Sequence, residues 1–121
     1  MSKRILIIED QEDNRRILRD LLVASGYELV EATTGEEGLA LAERETPDLI
    51  LMDIQLPGMD GYEVTRRVKA NPTLKHIPII AVTSYALSGD DQKAFAAGCD
   101  GYVTKPFSPR HLLGKIREYL K

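Results

Sequence analysis

Five short, mostly apolar runs, separated by segments of helical length, most constrain how this chain can fold. They are Ile5–Ile8, Leu29–Ala32, Leu49–Met52, Ile79–Val82 and Tyr102–Val103. The first, third and fourth runs are continuously apolar, which is typical of strands that are covered on both faces. Strands that alternate with helices in this way predict a parallel sheet connected by right-handed crossovers. We therefore expect an α/β fold with a doubly wound, five-stranded parallel sheet.

Turn and capping residues lie where this alternation requires them. Gly26 follows the first helical stripe, in the position of a left-handed C-terminal cap. Thr34 and Glu37 have the spacing of a capping box at the start of the second helix. Asp60 and Ser108 are predicted N-caps of two later helices. These local signals support the same order of strands and helices.

The composition indicates one folded domain over residues 1–121, without an output domain. The 16 basic and 19 acidic side chains give a formal net charge of -3, whereas proteins that neutralise nucleic-acid phosphates usually carry a basic excess. No apolar run has the length of a membrane span or of a signal-peptide core. Cys99 is the single cysteine, so neither an internal disulfide nor a cysteine metal cluster is expected. We expect a cytoplasmic protein that binds neither nucleic acid nor membrane.

Polar side chains follow four of the five predicted strands. Glu9 and Asp10 follow the first strand, Asp53 the third, Thr83 the fourth and Lys105 the fifth. Each has an ordinary interpretation when taken alone: the acids as caps, Thr83 as a β-branched strand residue and Lys105 as a solvated cation. Ligands bind beyond the carboxyl ends of the strands in sheets of this kind. Together the five residues therefore predict a site of three carboxylates, a hydroxyl and an ammonium group.

The chemistry of this set favours phosphoryl transfer. Three carboxylates at close range repel one another, so a proton or a cation must compensate their charge. A set of oxygen ligands favours Mg²⁺, with Mn²⁺ as a substitute. Lys105 is able to pair with Asp53 or to bind a phosphoryl oxygen, and the Thr83 hydroxyl is able to donate to the same anion. Asp53 is then the candidate nucleophile, forming an acyl phosphate.

Five segments occur in the order and spacing of a known family. They are Ile5–Asp10, Pro47–Asp53, Leu56–Gly61, Ile79–Thr83 and Lys105–Phe107. On these segments the whole chain resembles the receiver domains of bacterial two-component response regulators. Two further segments, Met52–Pro57 and Gly98–Tyr102, resemble the single-domain cell-division regulators of the DivK kind. The resemblance implies the flavodoxin-like (β/α)5 receiver fold with strand order 2-1-3-4-5.

The resemblance also implies a role in a phosphorelay. Asp53 is the expected phosphoacceptor, and a sensor histidine kinase or a histidine phosphotransferase is the expected donor. Glu9, Asp10 and Asp53, with the backbone carbonyl of Gln55, are the expected Mg²⁺ ligands. Many family members have aspartate in place of Glu9, which leaves open whether Glu9 binds the ion directly or through water. Such a protein promotes only its own phosphorylation and dephosphorylation and is not an enzyme that turns over a metabolite.

Further implied roles concern the phosphoryl group and the response to it. Thr83 and Lys105 are expected to bind the phosphoryl oxygens, and the peptide bond from Lys105 to Pro106 is expected to be cis. Thr83 and Tyr102 form the expected switch, in which a new dianion biases a two-state element.

Docking to another protein is the expected output of the switch. Gln55 and Tyr85 lie at positions that set the lifetime of the phosphoryl group in this family. The altered surface is expected over Ser88–Ala97, the following strand and the last helix. A monomer and a phosphorylation-dependent homodimer are both compatible with the sequence.

Other interpretations explain fewer of these residues. A flavin-binding module of the same architecture needs a phosphate-binding loop after the first strand, but Glu9–Asp13 is acidic and would repel a phosphate. A haloacid-dehalogenase-type phosphatase needs Asp-x-Asp there, which Asp10–Glu12 does not provide. A topoisomerase–primase metal domain leaves Thr83 and Lys105 without a role. The remaining alternative is a protein-interaction module that acts without phosphorylation.

Overall fold

The computed structural model describes residues 3–83 and 90–120. Strands and helices alternate throughout this part of the chain. The strands are β1 (Arg4–Ile8), β2 (Glu28–Ala32), β3 (Leu49–Asp53), β4 (Ile79–Thr83) and β5 (Gly101–Thr104). The helices are α1 (Glu12–Ala24), α2 (Gly35–Glu45), α3 (Gly61–Ala70), α4 (Asp90–Ala97) and α5 (Pro109–Tyr119). In the described ranges, none of these helices has the length and apolar character needed to cross a membrane.

The strands form one parallel sheet in the order β2-β1-β3-β4-β5. This order confirms the predicted doubly wound architecture. Ile8 of β1 pairs with Met52 of β3, and Asp53 pairs with Val82 of β4. Thr83 of β4 pairs in turn with Thr104 of β5. The register therefore brings the carboxyl ends of four adjacent strands to one edge of the sheet.

Two apolar layers cover the faces of the sheet. One layer joins the sheet to α2, α3 and α4, and it includes Ile8, Met52 and Val64. The other joins the sheet to α1 and α5, and it includes Ile7 and Leu51. Strands β1, β3 and β4 are almost wholly buried, because alternate side chains enter opposite layers. This packing explains why the sequence of these strands is continuously apolar.

The predicted N-caps form, but the predicted capping box of α2 is only half formed: the Glu37 carboxylate accepts from the amide of Thr33, at 2.7 Å, and not from that of the N-cap Thr34. The side chains of Thr34, Asp60 and Ser108 each accept a hydrogen bond from a backbone amide in the first turn of α2, α3 and α5. In α2 the donor is the amide of Glu37, 3.1 Å from the Thr34 hydroxyl. Gly26 follows α1 with φ of 90°, the left-handed conformation that favours glycine. The three N-caps lie in loops that follow strands, at the carboxyl edge of the sheet, whereas Gly26 lies before β2 at the opposite edge.

Candidate functional site

The carboxyl edge of the sheet brings together the five side chains that the sequence placed there. Glu9 and Asp10 directly follow β1, Asp53 is the last residue of β3, Thr83 ends β4 and Lys105 follows β5. Glu9, Asp53 and Thr83 are buried, Lys105 is partly buried and Asp10 is exposed. The site is therefore open to solvent on the side of Asp10.

Three carboxylates form the centre of this site. One oxygen from each of Glu9, Asp10 and Asp53 lies within 4.8 Å of the other two, and the described residues supply no histidine or cysteine to this group. Hard cations such as Mg²⁺ prefer oxygen ligands of this kind. A partly buried group of three negative charges requires compensation, so both the type and the charge of these residues fit a divalent cation.

Among the described residues, Lys105 forms an ion pair with each of the two buried acids. Its Nζ lies 2.8 Å from Oε1 of Glu9 and 3.7 Å from Oδ2 of Asp53. The sequence predicts that Lys105 pairs with Asp53 or with a phosphoryl group, whereas its shortest contact is with Glu9. The longer side chain of Glu9 reaches the ammonium group, and Asp53 is held from another direction by a backbone amide. Lys105 nevertheless remains within ion-pair distance of both acids.

Burial and charge act on Glu9 in opposite directions. The pKa of its carboxyl group is raised above its ordinary value, mainly by burial. The hydrogen bond from Lys105 lowers this pKa, while Asp53 raises it through both a hydrogen bond and charge repulsion. The ionised form of Glu9 is thus poorly compensated by the protein alone. An additional cation at this edge would stabilise it.

Two loops orient the remaining site groups. The amide of Gln55 donates to Oδ1 of Asp53 at 3.0 Å. This bond connects the phosphoacceptor candidate to the loop between β3 and α3, whose residue Gln55 is exposed. On the other side, the Lys105 amide donates to the carbonyl of Thr83 at 2.7 Å. The bond between Lys105 and Pro106 is cis, as the resemblance implied.

The predicted switch residues lie beside this edge. Thr83 is buried, and Tyr102 in β5 is half-buried. The Tyr102 ring packs against that of Phe95 in α4, with ring centres 6.5 Å apart and planes inclined by 50°. Phe95 is itself 49% exposed, so a movement of Tyr102 would alter an apolar surface. Tyr85, the second residue predicted to affect phosphoryl lifetime, lies outside the described residues.

Arg15 also contacts this edge, although the sequence does not predict it. Arg15 of α1 donates through Nη1 to the carbonyl oxygens of Glu9 and Asp10, at 3.0 and 3.3 Å. Its sequence signal is only its spacing from Glu12, which indicates an ordinary pair on the surface of a helix. The backbone contacts depend on the turn between β1 and α1, which the spacing of residues in the sequence does not indicate.

The fold and this acidic edge define a class of protein. Residues 5–117 match the family described as "Response regulator receiver domain". The chain belongs to this family and is a receiver domain of two-component signalling. The same comparison supports the assignment of the protein as a signalling component.

Among curated proteins, the chain is similar to the polar-differentiation response regulators DivK of Brucella ovis and Brucella suis. Each is 47% identical to it over 120 residues, covering 99% of this chain and 98% of the relative. This similarity confirms the resemblance to regulators of the DivK kind. These relatives also have nearly the length of this chain.

Solved structures share the fold of this chain. A putative response regulator from Chloroflexus aurantiacus has a TM-score of 0.95 at 32% identity, covering 99% of this chain and 98% of that structure. The receiver domain of a sensor histidine kinase from Pseudomonas aeruginosa has a TM-score of 0.92 at 34% identity and the same coverage. The latter is described with a magnesium ion coordinated in its active-site cleft.

Proposed function

We propose that this protein accepts a phosphoryl group on Asp53 from a histidine of a sensor kinase or phosphotransferase, in a Mg²⁺-dependent reaction. The observation that carries this proposal is the convergence of Glu9, Asp10 and Asp53 beside Lys105 at one edge of the sheet. A binding module has no need of three clustered acids and a shared ammonium group. Phosphoryl transfer needs both, because charge must be neutralised around the transferred group.

The transfer itself requires Asp53 to act as the nucleophile. A carboxylate oxygen of Asp53 attacks the phosphorus of a phosphohistidine, a P–O bond forms, and the P–N bond breaks as the imidazole leaves. The amide of Gln55 holds Oδ1 of Asp53, while Oδ2 faces Lys105. This arrangement orients the carboxylate before the donor arrives, which lowers the entropic cost of the reaction.

Glu9, Asp10 and Asp53, with the backbone carbonyl of Gln55, would hold Mg²⁺, for which Mn²⁺ would substitute. The bound ion neutralises charge on the transferring phosphoryl oxygens. Lys105 would add a second positive charge beside Asp53. We infer that its ammonium group exchanges part of its contact with Glu9 for a phosphoryl oxygen once the acyl phosphate is present.

Thr83 and Tyr102 would convert the new charge into a change of surface. A phosphoryl group adds about -1.5 to -2 of charge at neutral pH, and the Thr83 hydroxyl would turn towards it. Tyr102 would then move inwards and away from Phe95, altering the surface of α4, β5 and α5. The output would be docking to a downstream protein or formation of a homodimer, within the cytoplasm. Gln55 and Tyr85 would affect the lifetime of the phosphoryl group through access of water.

Intact-mass measurement after incubation with acetyl phosphate tests this proposal. The wild type should gain one phosphoryl group with Mg²⁺ or Mn²⁺ and none with EDTA, and Asp53→Asn should gain none. Asp60→Asn is the matched control, because Asp60 caps α3, asparagine is an equally good cap, and the adduct should persist. An adduct on Asp53→Asn would refute the assignment of the phosphoacceptor.

A second phosphoryl donor distinguishes the proposed function from an interaction module that acts without phosphorylation. Phosphoramidate carries a P–N bond like that of phosphohistidine, so it tests whether the site accepts only from nitrogen. The absence of an adduct from both donors, in a folded protein that binds Mg²⁺, would contradict the proposal. That result would favour an interaction module that acts without phosphorylation.

A further inference from the structure

The side chain of Arg15 connects α1 to the loop that carries Glu9 and Asp10. We propose that Arg15 is a positioning residue for the metal site, because it holds the backbone of two expected ligands. This inference rests on the proposed function. It assigns to Arg15 a role in Mg²⁺ affinity.

The contacts of Arg15 extend from the acidic loop to β2. Its Nη1 donates to the carbonyl oxygens of Glu9 and Asp10, at 3.0 and 3.3 Å. Its Nε lies 3.5 Å from Oε1 of Glu31 in β2, and its Nη2 pairs with Glu12. The guanidinium group is planar and rigid, so acceptors on opposite sides restrict its position. The two carbonyls are thereby held at a defined distance from β2.

Burial indicates that these contacts are maintained. The side chain of Arg15 is only 11% exposed, and a buried guanidinium group is tolerated only where its donors find acceptors. A cation this close to the N-terminus of α1 gains nothing from the helix dipole, which favours anions there. Contacts with the loop and with β2 therefore account for the position of Arg15 better than helix stability does.

Arg19 provides an internal comparison. It lies one turn further along α1 and binds both carboxylate oxygens of Glu31, at 2.8 Å each. Its side chain is 37% exposed, and its polar contacts within the described ranges are with Glu31 and Glu12. Arg15 and Arg19 thus share a charge, a helix and two partners, Glu12 and Glu31, but Arg15 alone of these two contacts the acidic loop.

The sign of the change in Mg²⁺ affinity distinguishes positioning from charge. Replacing Arg15 by methionine removes a positive charge near the acids, and Coulomb's law alone would then make Mg²⁺ bind more tightly. Loss of the two carbonyl contacts would free the loop and make Mg²⁺ bind more weakly. Residues that orient metal ligands typically change affinity by about 10- to 100-fold when mutated. We expect the loss of the carbonyl contacts to affect Mg²⁺ affinity more than the loss of the charge does, so Arg15→Met should bind Mg²⁺ more weakly.

Titration calorimetry of the full chain with Mg²⁺ tests this inference. Arg15→Met should raise the Kd for Mg²⁺ by about 10-fold. Arg19→Met, the matched control, should leave it within about twofold, because Arg19 contacts Glu31 and Glu12 but not the acidic loop. Arg15→Lys keeps the positive charge but loses the planar guanidinium group that contacts several acceptors at once. Its Kd should therefore lie between those of the wild type and Arg15→Met. A urea titration of each variant provides the measure of folding.

Phosphorylation kinetics supply a second readout. In Arg15→Met, the Mg²⁺ concentration that gives half the maximal rate of adduct formation should rise in parallel with the Kd. The rate at saturating Mg²⁺ should return towards that of the wild type. A purely structural defect would lower the rate at every Mg²⁺ concentration. That result would overturn the inference.

The remaining outcomes separate this inference from the proposed function. Equal or tighter Mg²⁺ binding by Arg15→Met, beside a wild type that binds Mg²⁺ and is phosphorylated, overturns the inference alone. An equal loss of affinity in Arg19→Met also overturns it. A wild type that neither binds Mg²⁺ nor gains an adduct overturns both. If Arg15→Met fails to fold, a wild-type Kd in Arg15→Lys refutes the positioning role.

Discussion

Substitution of Gly61 by alanine should destabilise the protein through a contact with the backbone beneath the acidic edge. Gly61 is the first residue of α3, and its amide donates to the carbonyl of Ile54 at 2.9 Å. An added Cβ would lie 2.7 Å from Cα of Ile54 and 2.9 Å from the carbonyl oxygen of Asp53. Ordinary contacts of a Cβ begin at 3.4 Å. The backbone of the loop after β3 must therefore move away from the added Cβ.

The magnitude follows from two opposing contributions. Overpacking of this kind costs about 1–3 kcal/mol, and the high end applies because backbone atoms cannot rotate away as a side chain does. Alanine recovers about 0.5–1 kcal/mol relative to glycine in a helix. The free energy of unfolding should therefore fall by about 2 kcal/mol. The same displacement would disturb the bond from the Gln55 amide to Asp53.

Urea unfolding followed by circular dichroism measures this change. Gly114→Ala in α5 is the matched control, because its added Cβ meets no atom within 4 Å. This control should raise the free energy of unfolding by about 0.5–1 kcal/mol. A Gly61→Ala protein as stable as the wild type would refute the close packing described for this loop. A control that loses as much stability would show that glycine is needed for another reason.

Three smaller predictions concern charge and capping, each measured by urea unfolding. Arg19 lowers the pKa of Glu31, mainly through their hydrogen bond, so the stability from this pair is present above the ordinary pKa of glutamate and lost as pH falls through the lowered value. Glu31→Gln should therefore lower the free energy of unfolding by about 1 kcal/mol at pH 7. An equal difference between wild type and variant in acid would contradict this prediction. Lys105→Met leaves Glu9 without its ammonium partner and should lower the free energy of unfolding by about 3 kcal/mol in EDTA. Mg²⁺ should restore part of this stability. An unchanged free energy of unfolding in EDTA would refute the pairing. Ser108→Ala should lower the free energy of unfolding by about 1 kcal/mol. An unchanged midpoint of urea unfolding would argue against the cap of α5.

Much of the fold was predictable because its signals are local. The apolar run of β3 and the caps at Thr34 and Ser108 each depend on residues within one or two turns of each other. Boundaries were less predictable: β2 begins at Glu28, one residue before the apolar run, and β5 extends over Gly101–Thr104. Hydrogen bonds between strands determine these ends, and those bonds depend on neighbouring strands that are distant in the sequence.

The candidate site was predictable as a set of residues but not as a set of contacts. Asp53, Thr83 and Lys105 follow apolar runs, and parallel strands necessarily end at the same edge. The pairing of Lys105 with Glu9, however, depends on a difference of less than 1 Å between two candidate partners. The contact of Arg15 with two backbone carbonyls has no pattern in the sequence at all.

The amino-acid sequence by itself therefore determined the order of elements, the buried strands and the residues available for chemistry at one edge. Periodicity and capping are properties of residues that lie near one another in the sequence. Only the tertiary structure decided which acid Lys105 pairs with, that Gly61 has no room for a Cβ and which arginine contacts the acidic loop. These outcomes depend on distances of a few ångströms between segments far apart in the chain. Such distances are set only when the helices pack on the sheet.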